Sequence, residues 1–385
     1  MVRIGVLAVS LSMIVMLISM ATGIGLQRRI TEKITRFTGD MQVVPYLSAQ
    51  SEQAYLPNAD SIIRSMRGRE DLLHIHRVSE KGGLLKTEDD FEGVTVKGVG
   101  SDFNWLNFSP YLKEGRHPAY SDEVYNDSIL VSKLLMSRLK LELGDEVVVF
   151  FVRDAPKPPL MRRFVISGVF KTGMAEFDAS FIIVHEKHLR KINKWEDGAA
   201  VRLELFTEKP GDAARRFAEW RDLLPLNADL RTSRESYPEI FQWLDLFDVN
   251  IYIILLVMVL VALVNSATAL LTIILEKRKG IGLLKALGAS ESQLRRLFRL
   301  RSMYIVIAGM LWGNIIGIGL CLLQHFSGII QLDPDVYYVD RVPIHLDPVL
   351  IIALNLGILL ISYLAMNLPV RVIARMNPAE SLKAF

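Results

Sequence analysis

Few residues in this sequence have the types and spacing that enzyme chemistry requires. His185–His188, read as HEKH, is one residue short of the H-E-x-x-H motif of zinc hydrolases. His74 and His76 would lie on the same side of a strand, but two ligands are too few for a zinc site. Gly82–Thr87 lacks the glycine before lysine that a phosphate-binding loop needs. We therefore expect a non-enzymatic chain without catalytic residues, a metal site or a cofactor of its own.

The composition indicates a chain that is partly in a membrane and partly in water. Of the 385 residues, 51% are hydrophobic and 23% are charged, and the mean hydropathy is +0.28. These values are too apolar for an ordinary soluble protein and too charged for a wholly buried bundle. The single Cys321 excludes an internal disulfide. No basic and aromatic pattern indicates nucleic-acid binding.

Four uncharged stretches fit membrane-spanning helices. They are Ile4 to Leu26, Val249 to Leu275, Ser302 to Gln324 and Pro348 to Val370. The shortest would be about 35 Å long as helices, enough for a hydrocarbon core of about 30 Å. The first could instead be a signal peptide, although it lacks a small-residue cleavage site near its end.

The charges of the short loops predict the orientation of these spans. Eight basic residues and two acidic ones lie between the second and third spans, whereas four aspartates and one arginine lie between the third and fourth. Basic loops stay in the cytoplasm. We therefore expect both termini to be cytoplasmic and the long segment after the first span to be outside.

Glu276 to Ser290, EKRKGIGLLKALGAS, stands between the second and third spans and predicts a short amphipathic helix. Ile281, Leu284 and Leu287 would gather on one side, with Lys285 turned elsewhere. Gly288 would end the helix, and Ser290 would cap the next one. The alternative is a cytoplasmic loop whose basic residues only fix orientation.

This segment resembles the coupling-helix signature of the FtsX-like permeases, the membrane subunits of ABC transporters of the lipoprotein-releasing and macrolide-exporter type. The residues that match this pattern are Glu276, Arg278, Ile281, Gly282, Leu284, Lys285, Ala286, Leu287, Gly288, Ala289 and Ser290. Gly280 stands where the family often has an acidic or polar residue. The resemblance makes the matching residues from Glu276 to Gly288, together with Lys279, the expected contact with an ATPase. The last external link, with Tyr337, Tyr338 and Pro343, is similar to that of the lipoprotein-releasing permeases.

The resemblance implies an α-helical membrane protein with four transmembrane helices and a large mixed α/β extracytoplasmic domain inserted between helices 1 and 2. The expected boundaries are 1–26 for helix 1, 27–244 for the periplasmic domain with its stalk helices and 245–275 for helix 2. They continue with 276–296 for the coupling loop, 297–325 for helix 3, 326–347 for a periplasmic link, 348–370 for helix 4 and 371–385 for a cytoplasmic tail.

Alternating apolar residues predict strands in the external domain at His74–Val78, Gly93–Val99, Val147–Val152, Phe164–Phe170, Phe181–Val184 and Ala200–Phe206. Helical patterns occur at Ala59–Met66, Ser132–Lys140, Glu186–Lys191 and Asp212–Leu224. This mixture suggests two small subdomains rather than one regular sheet.

A proline-bearing loop, Arg153 to Arg163, separates two of these strands. It resembles the hook with which lipoprotein-releasing permeases hold a periplasmic lipoprotein chaperone. The candidate hook residues are Pro156, Pro158, Pro159, Leu160 and Met161. The alternative is an ordinary strand connection without a partner.

Two sets of apolar residues could form a groove for acyl chains. Met13, Met16 and Met20 share one face of the first span, and Phe241, Leu244 and Phe247 share a face of the helix that enters the second. The alternative for the methionines is packing against neighbouring helices. In the third span, Gly309, Gly313 and Gly317 form a small-residue ridge, for helix packing or for a dimer contact.

The resemblance implies a permease in the bacterial inner membrane that works by mechanotransmission. The expected partners are two copies of a cytoplasmic ATPase that carries the ATP and Mg, a second permease subunit (this chain or a paralogue), a lipoprotein cargo, a periplasmic chaperone and membrane lipids. The alternatives are a MacB-like exporter of peptides or small molecules and an FtsX-like regulator of a cell-wall hydrolase.

Overall fold

The computed structural model describes residues 2–46, 55–87, 90–153, 158–208 and 213–366. Its contacts divide the chain into two compact units. A helical unit comprises Met1–Arg28, Gln242–Leu332 and Arg341–Phe385, and a sheet-containing unit comprises Arg29–Phe241 and Asp333–Asp340. We call the second of these the outer unit.

The helices are α1 (Val2–Thr38), α2 (Ala59–Met66), α3 (Trp105–Phe108), α4 (Lys133–Leu139), α5 (Ala175–Ser180), α6 (Glu186–Asn193), α7 (Ala213–Arg221), α8 (Ser233–Ser236), α9 (Pro238–Glu276), α10 (Arg278–Ala286), α11 (Glu291–Ser327), α12 (Pro334–Tyr337) and α13 (Pro348–Ala365). A 3-10 turn covers Ser109–Tyr111. The strands are β1 (Met41–Pro45), β2 (Leu72–Lys86), β3 (Phe91–Val99), β4 (Leu112–Gly115), β5 (Ser128–Ser132), β6 (Glu146–Phe151), β7 (Leu160–Phe170), β8 (Phe181–His185), β9 (Arg202–Thr207) and β10 (Ala228–Thr232).

The ten strands form one connected sheet in the order β10-β1-β9-β2-β3-β8-β5-β7-β4, and β6 pairs with both β2 and β7. These pairings close six strands, β2, β3, β8, β5, β7 and β6, into a ring. The pairs β3–β8 and β5–β7 are parallel, and the other pairs are antiparallel. The expectation of two subdomains instead of one sheet is therefore wrong for the strands.

The apolar core of the outer unit nevertheless has two separate parts. One contains the inward side chains of the ring with α4 and α6, including Val96, Val149 and Ile182. The other lies among β1, β9, β10, α2 and α7 around Trp220, which is 1% exposed. The strong alternation of the six predicted strands follows from their burial in these cores. The four predicted helices are present as α2, α4, α6 and α7.

Four helices, α1, α9, α11 and α13, are long and apolar enough to cross a membrane. Their own chain covers them unequally. Half of the most apolar stretch of α1 is buried by the rest of the chain. Only 6% of the most apolar stretch of α9 is buried in this way. A helix that exposes apolar side chains around most of its surface is suited to lipid or to another apolar partner.

The glycine ridge of α11 packs on α1. A Cβ at Gly309 would lie 2.6 Å from Val9 Cβ, and one at Gly313 would lie 2.5 Å from Met13 Cβ. A side chain at either glycine would clash with α1, so the close approach of the two helices depends on glycine at these positions. The ridge therefore serves helix packing within this chain. The structure thus supports the packing interpretation that the sequence left open.

The methionine face of α1 lies in the same interface and not in an open groove. Met13, Met16 and Met20 are at most 8% exposed, and they share one cluster with Val306, Met310 and Ile358. This placement contradicts the groove assignment for these three residues. The physical reason is that the close approach of α11 at its glycines leaves the methionines as the filling of the helix interface.

Candidate coupling site

The candidate coupling segment forms a short helix with a defined start and end. α9 ends at Glu276, the Lys277 amide donates to the Ile273 carbonyl at 3.0 Å, and α10 begins at Arg278. Gly288 ends the segment with φ +94, a backbone conformation that glycine adopts without strain. The turn after Ala286 and the start of α11 are therefore set by local sequence.

Ser290 caps α11, as its sequence predicts. Its hydroxyl accepts a hydrogen bond from the Gln293 amide at 3.3 Å, and the Gln293 side chain accepts one from the Ser290 amide at 2.9 Å. This reciprocal capping box satisfies two amides that the helix start leaves without carbonyl partners. It holds α10 and α11 in a fixed connection.

The inner side of α10 rests on the long helices of its own unit. Ile281 is 2% exposed and packs in a cluster with residues such as Ile274 of α9 and Phe298 of α11. Gly282 beside it is buried as well. Since burying an Ile side chain stabilises by about 1.5–3 kcal/mol, Ile281 holds the short helix against the bundle.

The leucines of α10 and its end point the other way. Leu283, Leu284 and Leu287 are 55%, 42% and 76% exposed. The expectation that Ile281 shares their side is wrong, because the helix uses Ile281 for internal packing and leaves the three leucines outside. A cluster of three exposed leucines on one short helix is a feature that partner-binding surfaces share.

Charged residues flank this leucine surface. Glu276 and Lys279 are exposed and Arg278 is half-buried. Lys285 lies on the side away from the leucines, with its side chain 11% exposed and its Nζ 3.9 Å from Glu291 Oε1. Ala286 and Gly288 are small and exposed, so they leave the leucines accessible.

The candidate hook is the connection of a β-hairpin, shorter than the sequence predicts. β6 and β7 pair in register up to Phe151 and Leu160, so Leu160 and Met161 belong to the strand and not to the loop tip. Pro158 and Pro159 are exposed in the tip, and Arg153 closes it by donating to the Pro158 carbonyl at 2.6 and 2.9 Å. Pro156 lies outside the described residues.

The far end of α1 is packed within the outer unit at Phe37. The Phe37 ring lies 4.8 Å from that of Phe177 and 5.5 Å from that of Phe181. Lys97 Nζ is 4.5 Å from the centre of the same ring and donates to the Phe37 carbonyl at 2.7 Å. Lys97 thus satisfies a carbonyl that the helix end would leave without a donor.

A buried charge network supports Lys97. Glu204 accepts from Lys97 at 2.9 Å, from Arg202 at 2.9 Å and lies 3.1 Å from His76 Nε2. Burial alone would raise the pKa of Glu204, but Lys97 and then Arg202 hold it below its ordinary value. Arg202 also pairs with Glu80 at 2.5 Å. The network therefore pairs the buried Glu204 carboxyl group with Lys97 and Arg202.

We call the outer part of α1 the first stalk, and α8 with the start of α9 the second stalk. The start of the second stalk meets the end of α1 within the outer unit. Ser233, the first residue of α8, donates its hydroxyl to the carbonyls of Gly39 and Asp40 at 2.5 and 3.0 Å. Gln42 donates to the Thr38 carbonyl at 3.0 Å. α9 begins five residues after Ser233, at Pro238. The chain after α1 and the chain before α9 are thus joined by buried hydrogen bonds.

The remaining groove candidates lie at the start of α9. Phe241 and Leu244 are 4% and 1% exposed, and Phe247 is half-buried with its ring 4.9 Å from that of Trp243. Phe241 carries Arg234 over its ring at 5.1 Å. Phe241 and Leu244 therefore do not line an open groove, because they are buried within the chain.

Two of the histidines that could have suggested chemistry, His74 and His188, have structural hydrogen-bond partners. His74 Nε2 lies 2.8 Å from the Asp102 carbonyl oxygen, and His188 Nε2 lies 3.1 Å from that of Asn126. Burial lowers the pKa of His185 to about 4. Within the ranges that the structure describes, His, Cys, Asp and Glu form no group of three that could hold a metal ion.

Sequence reasoning missed the network around Lys97 and Glu204. Each has apolar neighbours in its strand, Val96 and Val99 near Lys97, and Leu203 and Leu205 beside Glu204. A charge at a position that faces a core is a signal for a buried partner of opposite sign. The sequence shows both charges but not that β3 and β9 bring them together.

Two protein-family models match this chain. Residues 4–210 match the MacB-like periplasmic core domain, and residues 252–378 match the FtsX-like permease C-terminal family. Among solved structures, the periplasmic region of MacB from Actinobacillus actinomycetemcomitans aligns at 12% identity over 54% of this chain and 95% of that chain, with a TM-score of 0.38.

Curated relatives extend the likeness over most of the chain. The lipoprotein-releasing system transmembrane protein LolC of Neisseria meningitidis is 24% identical over 88% of this chain and 85% of that protein. LolC of Xylella fastidiosa is 27% identical over 71% of this chain and 68% of that protein. With a family match over more than half of its length, the chain belongs to the FtsX-like ABC transporter permeases with a MacB-like periplasmic core domain.

Proposed function

We propose that this chain is a permease subunit that extracts lipoproteins from the bacterial inner membrane and passes them to a periplasmic chaperone. The relatives named for lipoprotein release support this substrate, since they match helical and periplasmic parts alike. In this proposal α1, α9, α11 and α13 cross the membrane, both termini are cytoplasmic and the outer unit is periplasmic. The chain is not itself an enzyme, and two copies of a separate ATPase bind ATP and Mg.

The observation that carries the proposal is the leucine surface of α10. Leu283, Leu284 and Leu287 are exposed on a helix whose opposite side is fixed to α9 and α11 through Ile281. A partner that binds these leucines can therefore move α9 and α11 with α10. The basic residues around α10 support a cytoplasmic position for this surface, where an ATPase could reach it.

The outer ends of the stalks complete this mechanical path. Phe37 is held in an aromatic cluster, and Ser233 ties the start of α8 to the end of α1. Movement of either stalk would therefore act on the sheet of the outer unit as a whole. A second permease subunit, either this chain or a paralogue, would supply the other half of the machine. The hydrophobic surface of α9, of which little is covered by this chain, is where lipid acyl chains or that second subunit would bind.

The exposed hairpin tip of β6 and β7 is the proposed chaperone contact. Val152, Pro158 and Pro159 project from the strands, and Met161 beside them is 51% exposed. Prolines lower the entropy that a loop loses when it binds a partner. The contact would place the chaperone next to the extracted lipoprotein.

Lipoprotein release from depleted cells tests this function. Spheroplasts lacking the protein receive purified chaperone, and the outer-membrane lipoproteins that stay in the inner membrane are measured. Retention should be relieved by the intact gene and not by a gene that lacks residues 156–161. Unchanged release in depleted cells would contradict the proposal and favour small-molecule export or the regulation of a cell-wall hydrolase.

A further inference from the structure

The link between α11 and α13 is shared between the two units of the chain. Its tip, Asp333–Asp340, groups with the outer unit, whereas its flanks group with the long helices. The flanks meet in an antiparallel bridge between Gln331 and Arg341. The tip contains the short helix α12.

The base of the link is fixed inside the helical unit. The Gln324 side chain donates to the carbonyls of Ile330 and Val342 at 3.0 and 3.3 Å and accepts from the Ile330 amide at 2.9 Å. The His345 amide donates to the Ala21 carbonyl of α1 at 3.0 Å. These contacts hold both flanks of the link without help from its tip.

The tip is fixed inside the outer unit, and Tyr338 makes two polar contacts there. Lys33 Nζ on α1 donates to the Tyr338 carbonyl at 2.6 Å. The Tyr338 hydroxyl donates to Glu176 Oε1 on α5 at 2.5 Å. Val339, the next residue, is 6% exposed. One residue therefore joins the tip to two separate elements of the outer unit.

The backbone of Tyr338 is held in an unfavourable conformation. Its φ of +59 lies in the left-handed region, which residues with a bulky side chain rarely adopt. Such a conformation persists where the surroundings impose it and is frequent at switching or binding positions. The surroundings here are Lys33 and Glu176, so loss of either contact favours relaxation of the tip.

Lys33 is a specific partner and not a flexible surface lysine. Burial lowers the pKa of its amine, while Asp340 and Asp178 act in the opposite direction and Lys171 and Lys113 reinforce the lowering. A Cβ at Gly173 would lie 2.8 Å from Lys33 Nζ. Gly173 therefore leaves the space that this ammonium group occupies.

We propose that Tyr338 is a positioning residue that fastens the α11–α13 link to the first stalk and to α5, and thereby gives the outer unit a third connection to the membrane helices beside α1 and α9. This inference rests on the proposed mechanical function, which it extends to α11 and α13. Movement of α11 at the coupling site would then reach the outer unit through Tyr338 as well as through the two stalks.

The test compares Tyr338→Phe with Tyr337→Phe in the full chain, assembled with its ATPase and reconstituted in lipid nanodiscs. Each substitution removes one hydroxyl from neighbouring tyrosines, so both variants should fold. The first readout is amide hydrogen exchange in residues 333–340 without nucleotide. Loss of a hydrogen bond to a charged group should speed exchange about tenfold or more in Tyr338→Phe, and Tyr337→Phe should match the wild type.

The second readout is the number of lipoproteins released per ATP hydrolysed. Tyr338→Phe should keep its ATPase rate and lower this ratio several-fold, and Glu176→Gln, which retains an oxygen acceptor, should lower it less than Glu176→Ala. Equal exchange and equal release ratios in the two tyrosine variants would overturn the proposal. Faster exchange confined to Tyr338→Phe, with no lipoprotein release even by the wild type, would support the fastening and refute the proposed cargo instead.

Discussion

Lys97 Nζ lies 2.9 Å from Glu204 Oε1, and neither side chain is exposed to solvent. Lys97 also donates to the last turn of α1 at Phe37. A buried ion pair is not by itself evidence of stability, because desolvation offsets the attraction. Its place at the end of a stalk gives this pair a role in fixing the angle at which α1 meets the sheet.

Replacing Lys97 with Met should destabilise the outer unit strongly. The substitution leaves the buried Glu204 with one cation fewer, and breaking a buried pair typically costs about 3–5 kcal/mol. The measurement is thermal unfolding of the full chain in detergent, followed by tryptophan fluorescence. Lys133→Met is the matched control, because the Lys133–Glu114 pair is exposed and should contribute less than about 1 kcal/mol. Equal melting temperatures for the two variants would contradict the role of Lys97.

Glu186 should make the stability of the outer unit depend on pH. Burial raises its pKa to about 7, while Arg77 and Arg190 oppose the shift and Asp102 and Asp122 reinforce it. The folded chain then keeps a proton that the unfolded chain releases, so this group lowers stability as pH rises from about 4.5 to about 7.

Glu186→Gln removes the ionisable group, so the difference between the variant and the wild type isolates the contribution of Glu186. Relative to the wild type, the variant should gain stability across that pH range, by up to about 3 kcal/mol at pH 7 and above. The neighbouring His185 has a pKa lowered to about 4, so its contribution to stability changes with pH in the opposite direction below pH 6.5. His185 is present in both proteins, so its contribution cancels in the comparison. Melting curves of both proteins from pH 4.5 to pH 8 provide the measurement. A constant difference between them would show that Glu186 is ionised throughout.

The interface of α1 and α11 should be sensitive to single methyl groups. Gly313→Ala places a Cβ 2.5 Å from Met13 Cβ, whereas Gly319→Ala on the same helix meets nothing within 4 Å. The first substitution should cost about 1–3 kcal/mol through overpacking. The second should be neutral or slightly stabilising, because alanine favours helices. Thermal stability in detergent distinguishes the two, and similar losses in both would argue against close packing at Gly313.

The leucine surface of α10 should be needed for ATPase coupling and not for insertion or folding of this chain. The double variant Leu284→Asp, Leu287→Asp should insert and fold normally, since both leucines are exposed, yet lose stimulation of the ATPase. Leu106→Asp, at an exposed position of the outer unit, is the control that should keep full stimulation. Normal stimulation in the double variant would remove α10 from the coupling path.

The sequence correctly predicted those features of the fold that depend only on residues near one another in the chain. The cap at Ser290, the end of α10 before Gly288 and the alternating strands such as Phe164–Phe170 are of this kind. Where residues distant in sequence decide the outcome, prediction failed. Ile281 turned inward because α9 and α11 both approach it. The strands β1, β4, β5 and β10, each four or five residues long, were missed.

The candidate site also combines features that depend on local sequence with contacts between residues far apart in the chain. The coupling segment was proposed from its sequence alone and stays a prediction, whereas the contacts of Lys97 with Glu204 and of Tyr338 with Lys33 join residues 107 and 305 positions apart. Met13 and its neighbours show the converse error. A helical face of methionines fits an open groove and a packed interface equally well, and only the approach of Gly313 decides between them.

The most direct measurement of the central claim is ATP-driven transfer of a lipoprotein from reconstituted vesicles to soluble chaperone. Vesicles hold this chain with its ATPase and second permease subunit, and the chaperone-bound lipoprotein is quantified with and without ATP. The account predicts ATP-dependent transfer by the wild type and Leu106→Asp, and none by the Leu284→Asp, Leu287→Asp variant. Transfer by that variant at the wild-type rate, or no transfer by the wild-type assembly while it hydrolyses ATP, would contradict it.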